Sequence, residues 1–419
     1  MPTSDRLTVV RAGRLIDVQA AEVLTDRAIV IEGDRIKAVV PFGQEPTGGT
    51  VVDLSRHTVL PGLMDMHTHM IGELENNKGY AALVSSSQAQ EAFTGVRNAR
   101  DTVMAGFTTV RDVGSFRAFV DVALRDAIDA GWTPGPRMLC AGAFVTSSSG
   151  GGDIPGLAVD VEDRLPRDLR FGVANSVDEV RKVVREILHR GAGLIKVIAT
   201  GAVMTEGTDP GAPEFSEAEI RAAVEEAALN GAYVAAHAHG PAGIKRAVLA
   251  GVRSIEHGSL IDDECIDLMA DRGTYLVADV YNGDWIEEVG RAEGWPESSL
   301  EKGRMTTTAQ REGFTKALKA GVRMAYGTDS GIYAHRYVGR QFAYMVRYGM
   351  TPMEAVRSAT IWAAELMGWQ DRVGAIAPDR FADLVAVDAD PLEDISVLED
   401  IPFVMKGGEI IKRPEAMSG

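Results

Sequence analysis

Cysteine is nearly absent: only Cys140 and Cys265 occur in 419 residues, far apart and outside any CxxC spacing. That scarcity argues against a disulfide framework and a thiolate zinc site, and it fits a reducing cytoplasm. Basic residues are also in deficit, with 43 Lys and Arg against 60 Asp and Glu and a formal charge of −17. Such a surface repels polyphosphate and anionic bilayers, so neither nucleic acid nor membrane is an expected partner. No apolar run approaches the roughly 18 residues that span a bilayer. The opening residues Met1 to Thr8 lack the apolar core of a signal peptide. A soluble, cytoplasmic location is therefore expected.

The sequence does have 45% apolar residues in short runs, and 45 glycines that punctuate them. Many of those glycines stand beside β-branched runs, the pattern of strands turning repeatedly into helices. Up to about residue 60 the period is that of strands, in Leu7 to Val10, Ala28 to Ile31 and Ile36 to Val40. From 61 to 370, eight apolar strand candidates follow one another, ending near Met64, Val110, Cys140, Ile198, Ala236, Ile255, Ala278 and Tyr326. Amphipathic segments such as Val177 to Arg190, Ser216 to Asn230 and Pro241 to Ala250 lie between them. Eight β/α repeats over roughly 300 residues predict an α/β fold with a (β/α)8 TIM barrel.

From 371 onward short strands return, at Leu384 to Val387, Phe403 to Met405 and Glu409 to Ile411. Neither end has enough strands to bury a core alone. Residues 1–60 and 371–419 are thus expected to form one composite β-sandwich beside the barrel of 61–370. Residues 144–171, with the run Ser147 to Gly152, break the rhythm and read as a long loop on the active face, a flexible lid.

Of eight histidines, five fall at the C-terminal ends of predicted barrel strands: His67, His69, His237, His239 and His257. In an extended strand, residues i and i+2 face the same side, so both imidazoles of Met66-His67-Thr68-His69 can reach one cation. Asp329 follows the eighth strand among small residues, where it can bind metal and shuttle a proton or simply cap the next helix. Lys196 lies in the apolar strand Leu194 to Ala199. Burial there favours a neutral amine able to take up carbon dioxide, unless the stem carries the ammonium out to solvent. No GxSxG elbow stands at a strand-helix junction, which disfavours a serine nucleophile.

Taken together, HxH, Lys, His, His and Asp on strands one, four, five, six and eight resemble the amidohydrolase superfamily, in its binuclear class with a carboxylated lysine. The likeness extends over nearly the whole chain and includes the opening motif Val59 to His69. It implies two divalent metal ions, with zinc the expected metal. His67, His69 and Asp329 would hold one, His237 and His257 the other, and carboxylated Lys196 would bridge them. It also implies amide hydrolysis by a hydroxide that bridges the metals, with Asp329 passing the proton to the leaving nitrogen. Relatives of this kind assemble through barrel helices, so a homo-oligomer is expected.

Gly106 to Gly114, Ala250 to Gly258 and Gly327 to Gly331 are most similar to the branch of Xaa-Pro dipeptidases and related carboxypeptidases. That branch includes amidohydrolases that cleave ochratoxin A. Its substrates, small amides or dipeptides, carry an amide next to a free carboxylate. Two departures stand out: His239 replaces a frequent tyrosine, and Ser149 to Asp153 lacks a frequent histidine. His239 is a candidate for substrate contact and catalysis or for supporting the metal, and the open Ser/Gly loop would admit a bulky aromatic acyl group. Arg111, Tyr281, Asn282 and His335 are further candidates for the substrate carboxylate. The alternatives are an Xaa-Pro dipeptidase proper, or a cyclic-amide hydrolase resembling imidazolonepropionase.

Overall fold

The computed structural model describes residues 7–72, 81–154 and 156–413. Positions 1–6 and 414–419 of the expected composite domain, and Pro155 of the expected loop, lie outside the described residues. The chain begins with strands β1 (Leu7–Asp17), β2 (Glu22–Glu32), β3 (Arg35–Pro41) and β4 (Thr50–Pro61). Barrel strands follow as β5 (Leu63–Thr68), β6 (Phe107–Asp112), β7 (Arg137–Cys140), β8 (Phe144–Val145) and β9 (Ile195–Ile198). They continue as β10 (Val234–Ala238), β11 (Ser254–His257) and β12 (Tyr275–Val277). The chain then returns to the small domain with β13 (Leu384–Val387), β14 (Phe403–Lys406) and β15 (Glu409–Lys412).

Both ends do fold together, but as one continuous seven-stranded sheet in the order β15-β14-β13-β4-β1-β2-β3. The sheet curls until its two halves meet. Ile36 N donates to Arg380 O (2.9 Å), and Ala382 N donates to Asp34 O (2.8 Å). Ile36 at one end and Phe403 at the other consequently share a single apolar cluster with Val10, Ile29, Leu54 and Leu384. The sandwich-like interior thus comes from a sheet wrapped on itself.

The barrel strands run parallel from β5 through β7 and from β8 through β12. β7 and β8 are two parts of one interrupted third strand: Gly193 N donates to Cys140 O (2.9 Å), and Phe144 pairs with Lys196. The eighth position, around Arg323 to Ser330, closes the ring through Leu276 N to Arg323 O (2.8 Å) and Met66 N to Tyr326 O (2.8 Å). It carries only isolated bridges, Leu276 with Met324 and Thr68 with Ser330.

Helices Val177–His189, Glu217–Leu229 and Pro241–Ala250 occupy the segments expected of them. Ser216 and Glu219 form a reciprocal capping box at the start of the second, and Pro241 with Gly251 delimits the third. Their apolar stripes, including Val184, Ile220 and Ile244, pack on Val197, Ala236 and Ile255 of the strands. Each such fully buried side chain contributes about 1.5–3 kcal/mol. No helix among the described residues is long and apolar enough to cross a membrane.

Candidate active site

At the C-terminal ends of the barrel strands lies a cavity of about 720 Å³. His67, His69, Lys196, His237, His239, His257 and Asp329 all line it, although the chain separates the first from the last by most of the barrel. Alternation along the strands brings them there. On β11, Ser254 and Glu256 face the barrel interior, so His257 would face away. Its backbone enters the left-handed region instead (φ 68°) and turns the imidazole into the cavity. Asp329 takes the same conformation (φ 57°). Non-glycine residues held there cost roughly 1–3 kcal/mol each and cluster at functional sites.

Each imidazole is fixed by one nitrogen. His67 Nδ1 pairs with Glu256 (3.0 Å), His69 Nδ1 with Gly114 O (2.6 Å), and His237 Nε2 with Gly201 O (3.1 Å). His239 Nδ1 pairs with Ser259 Oγ (2.8 Å) and His257 Nδ1 with Asp279 (3.0 Å). The other nitrogen of each ring is left for the cavity, the arrangement that sets the tautomer of metal-binding histidines. His67 Nε2 is buried without a hydrogen bond, while Asp329 Oδ1 lies 3.4 Å from it and 3.3 Å from His69 Nε2. The rings of His237, His239 and His257 stand 4.6–4.8 Å apart.

Burial drives His67, His237 and His239 well below the ordinary imidazole value, and the neighbouring cationic groups push the same way. Neutral imidazoles are the form that ligates metal. His257 is the exception: burial pushes it down, but the carboxylates of Asp279 and Asp329 together more than offset this. Burial also brings Lys196 down to about 8. Its side chain is 1% exposed, and its ammonium has no hydrogen-bond or ion-pair partner among the described residues. This donor set fits divalent cations. His67, His257 and Asp329 form one group with donor atoms within 4.8 Å of one another, and His237, His239 and His257 form a second, so the structure draws His257 toward both groups and His239 into the second, where His69 was expected in the first and His239 in neither.

Three residues expected at the substrate lie elsewhere. Arg111 is fully buried beneath the cavity, where it donates to Met66 O (2.6 Å), Ser254 Oγ (2.9 Å) and both oxygens of Glu256 (2.7 and 2.8 Å). It is therefore an internal counterion, with no face left for a substrate. Tyr281 packs on Tyr333 and Tyr344 and accepts from Arg340 through its hydroxyl (2.9 Å). His335 is buried against Thr102 Oγ1 (3.0 Å), outside the cavity wall. Asn282 does line the cavity, but its amide nitrogen donates to Asp279 and Asp329 (3.0 Å each), which makes it a positioning residue for both carboxylates.

Sequence reasoning passed over Glu256, Asp279, Ser259 and Gln310. Asp279 had a signal, since it follows the apolar run Tyr275 to Ala278 just as Asp329 follows its own. Glu256 sits in register with Ser254 on the inner face of β11. Gln310, which donates to Asp279 (2.8 Å) from a distant helix, had none.

The loop after β8 borders the cavity through Gly151, Gly152 and Gly156. It is pinned where a free lid was expected: Gly151 N donates to Glu214 (2.9 Å), Thr205 Oγ1 to Gly151 O (2.6 Å), and Arg170 pairs with Asp153 (2.7 Å). Aromatic and aliphatic side chains form much of the remaining wall. Phe144 stands edge-on to His69 (5.7 Å between centroids) and to Phe116 (5.2 Å), with Ile198, Met204, Ile286 and Trp295 around them.

The amidohydrolase family model matches residues 58–411. An ochratoxinase of Aspergillus niger is 33% identical, over 98% of this chain and 87% of that protein. Among solved structures, an Xaa-Pro dipeptidase with methionine bound in its active site superposes with a TM-score of 0.91 at 38% identity, covering 96% of this chain and 99% of that one. A prolidase complexed with N-methylphosphonate-L-proline superposes at 0.89 and 31% identity, over 97% of this chain and all of the other.

Proposed function

The chain belongs to the amidohydrolase family and is a hydrolase of amide bonds; from that premise we propose that it cleaves N-acyl amino acids or dipeptides with a bulky aromatic acyl part. The observation that carries this reading is the cavity of about 720 Å³, walled by Phe116, Phe144 and Trp295 beside the histidine cluster. A small ring of the imidazolonepropionate kind would leave most of that volume unfilled. The ochratoxinase relative, and the absence of a histidine from Ser149 to Asp153, support the same direction.

His67, His69 and Asp329 would hold one divalent cation and His237 and His257 another, with zinc expected, and Lys196 carboxylated by carbon dioxide would stand between them. When bound, the pair supplies Lewis acidity for acidifying water and polarising a carbonyl. The protein's own groups do the rest. Asn282 holds one oxygen of Asp329, so the other faces His67 and His69; from there Asp329 would carry a proton to the leaving nitrogen. His239, anchored by Ser259, presents Nε2 to the substrate. The burial of His67, His237, His257 and Lys196 at the cavity floor strengthens these charge interactions.

The test is a substrate panel on zinc-loaded enzyme: Xaa-Pro dipeptides, N-acyl phenylalanines, ochratoxin A and imidazolonepropionate. We expect the aromatic acyl-phenylalanine amides to have the highest kcat/KM. Preference for Xaa-Pro would overturn that expectation and establish the second reading, an Xaa-Pro dipeptidase, which the 38% identical structure favours.

A further inference from the structure

An N-acyl amino acid carries a carboxylate, yet Arg111, Tyr281 and His335 are not at the cavity to receive it. Arg117, which does line the cavity, is already committed. Its guanidinium pairs with Glu91 and Asp168 (3.0 Å each) and donates to the carbonyls of Leu83 and Ser86. Lys196 belongs to the histidine cluster.

Among the described residues another cation, Lys302, stands directly behind the wall, in contact with lining residues though not itself one of them. The helix Glu297–Lys319 lines the cavity with Ser299, Gly303, Thr306 and Gln310, a stripe at helical spacing. Lys302 lies on that side, next to Gly303 and one turn from Ser299 and Thr306, and is half-buried. Its ammonium donates to Thr205 O (2.7 Å) and Ala202 O (3.2 Å), both residues of the cavity wall. An ammonium has three donors and these carbonyls take two. Among the described residues no carboxylate lies within 4 Å of it, and Asp209 and Glu206 act on it only from a distance. A partly desolvated cation without a counterion, beside a pocket, suits an incoming anion.

We propose that Lys302 receives the carboxylate of the substrate and so sets the preference for N-acyl amino acids over neutral amides. This rests on the amide-hydrolase reading above and names the group that recognises its substrate. The test compares an N-acyl-phenylalanine with the matching N-acyl-phenylalaninamide on wild type, Lys302→Gln and Lys302→Arg. Glutamine keeps a donor for the carbonyls of Ala202 and Thr205 but removes the charge. Lys302→Gln should raise KM for the carboxylate by about 10- to 100-fold relative to the carboxamide, the range of one lost charge-assisted hydrogen bond. Lys302→Arg should restore most of that loss.

Equal losses on both compounds would assign Lys302 to holding the loop and overturn the inference, as would no loss on either. A wild type that cleaves both compounds without favouring the carboxylate defeats this inference alone. A wild type that cleaves neither defeats the substrate reading, and this inference with it.

Discussion

Replacing Arg111 with methionine would separate two roles for a residue that the sequence leaves open. The side chain is 0% exposed and makes four hydrogen bonds, two of them to Glu256, which is equally buried. Removing one partner of a buried pair leaves an uncompensated charge and costs about 3–5 kcal/mol. With an unfolding entropy of about 2.1 cal/mol/K per residue, 419 residues give ~0.9 kcal/mol/K, so the melting midpoint should fall by about 3–6 °C.

The double variant Arg111→Met with Glu256→Leu removes both charges and should recover most of that loss. It also removes the acceptor 3.0 Å from His67 Nδ1, so metal affinity should stay about 10- to 100-fold weaker. Calorimetry on chelator-treated protein reads the first quantity, and competition with a chromophoric chelator reads the second. An unchanged midpoint in Arg111→Met, accompanied by a raised KM, would refute the reasoning and return Arg111 to the substrate.

Lys196→Ala should abolish metal retention and activity together, as read by elemental analysis and turnover; a variant holding two metals with normal activity would refute the carboxylated-lysine reading. Asp329→Asn should still bind substrate while kcat falls by about 10²- to 10⁴-fold, and near-normal turnover would remove Asp329 from proton transfer. Burial pushes the Glu214 carboxyl up from 4.5 to about 7 although Gly151 donates to it. Because the folded state binds the extra proton, its stabilising contribution is complete below the ordinary value and lost as pH rises through about 7. Glu214→Gln should therefore gain about 1–2 kcal/mol on wild type between pH 5 and 8 in urea titrations, allowing for partial exposure. Parallel pH profiles would count against it.

Much of the site was legible because its signals are local. The i, i+2 spacing of His67 and His69 needs only an extended backbone, and an apolar run around Lys196 is enough to mark it as buried. The count of strand candidates likewise led to the barrel, and the similarity of the two chain ends to a shared domain. The eighth strand shows the limit: its residues are apolar as expected, but at the ring's closure they make bridges in place of a ladder.

The sequence by itself thus determined which residues are of metal-binding type and which ends of which strands present them, since strand period and burial cost act over a few neighbours. Only the tertiary structure decided what each polar side chain is spent on. Arg111 and Glu256 meet across 145 positions, Gln310 and Asp279 across 31, and Lys302 and Ala202 across 100. A guanidinium at a strand end is the same residue in sequence whether it faces substrate or a buried carboxylate. The difference is the free energy of its partner, which exists only once the ring has closed.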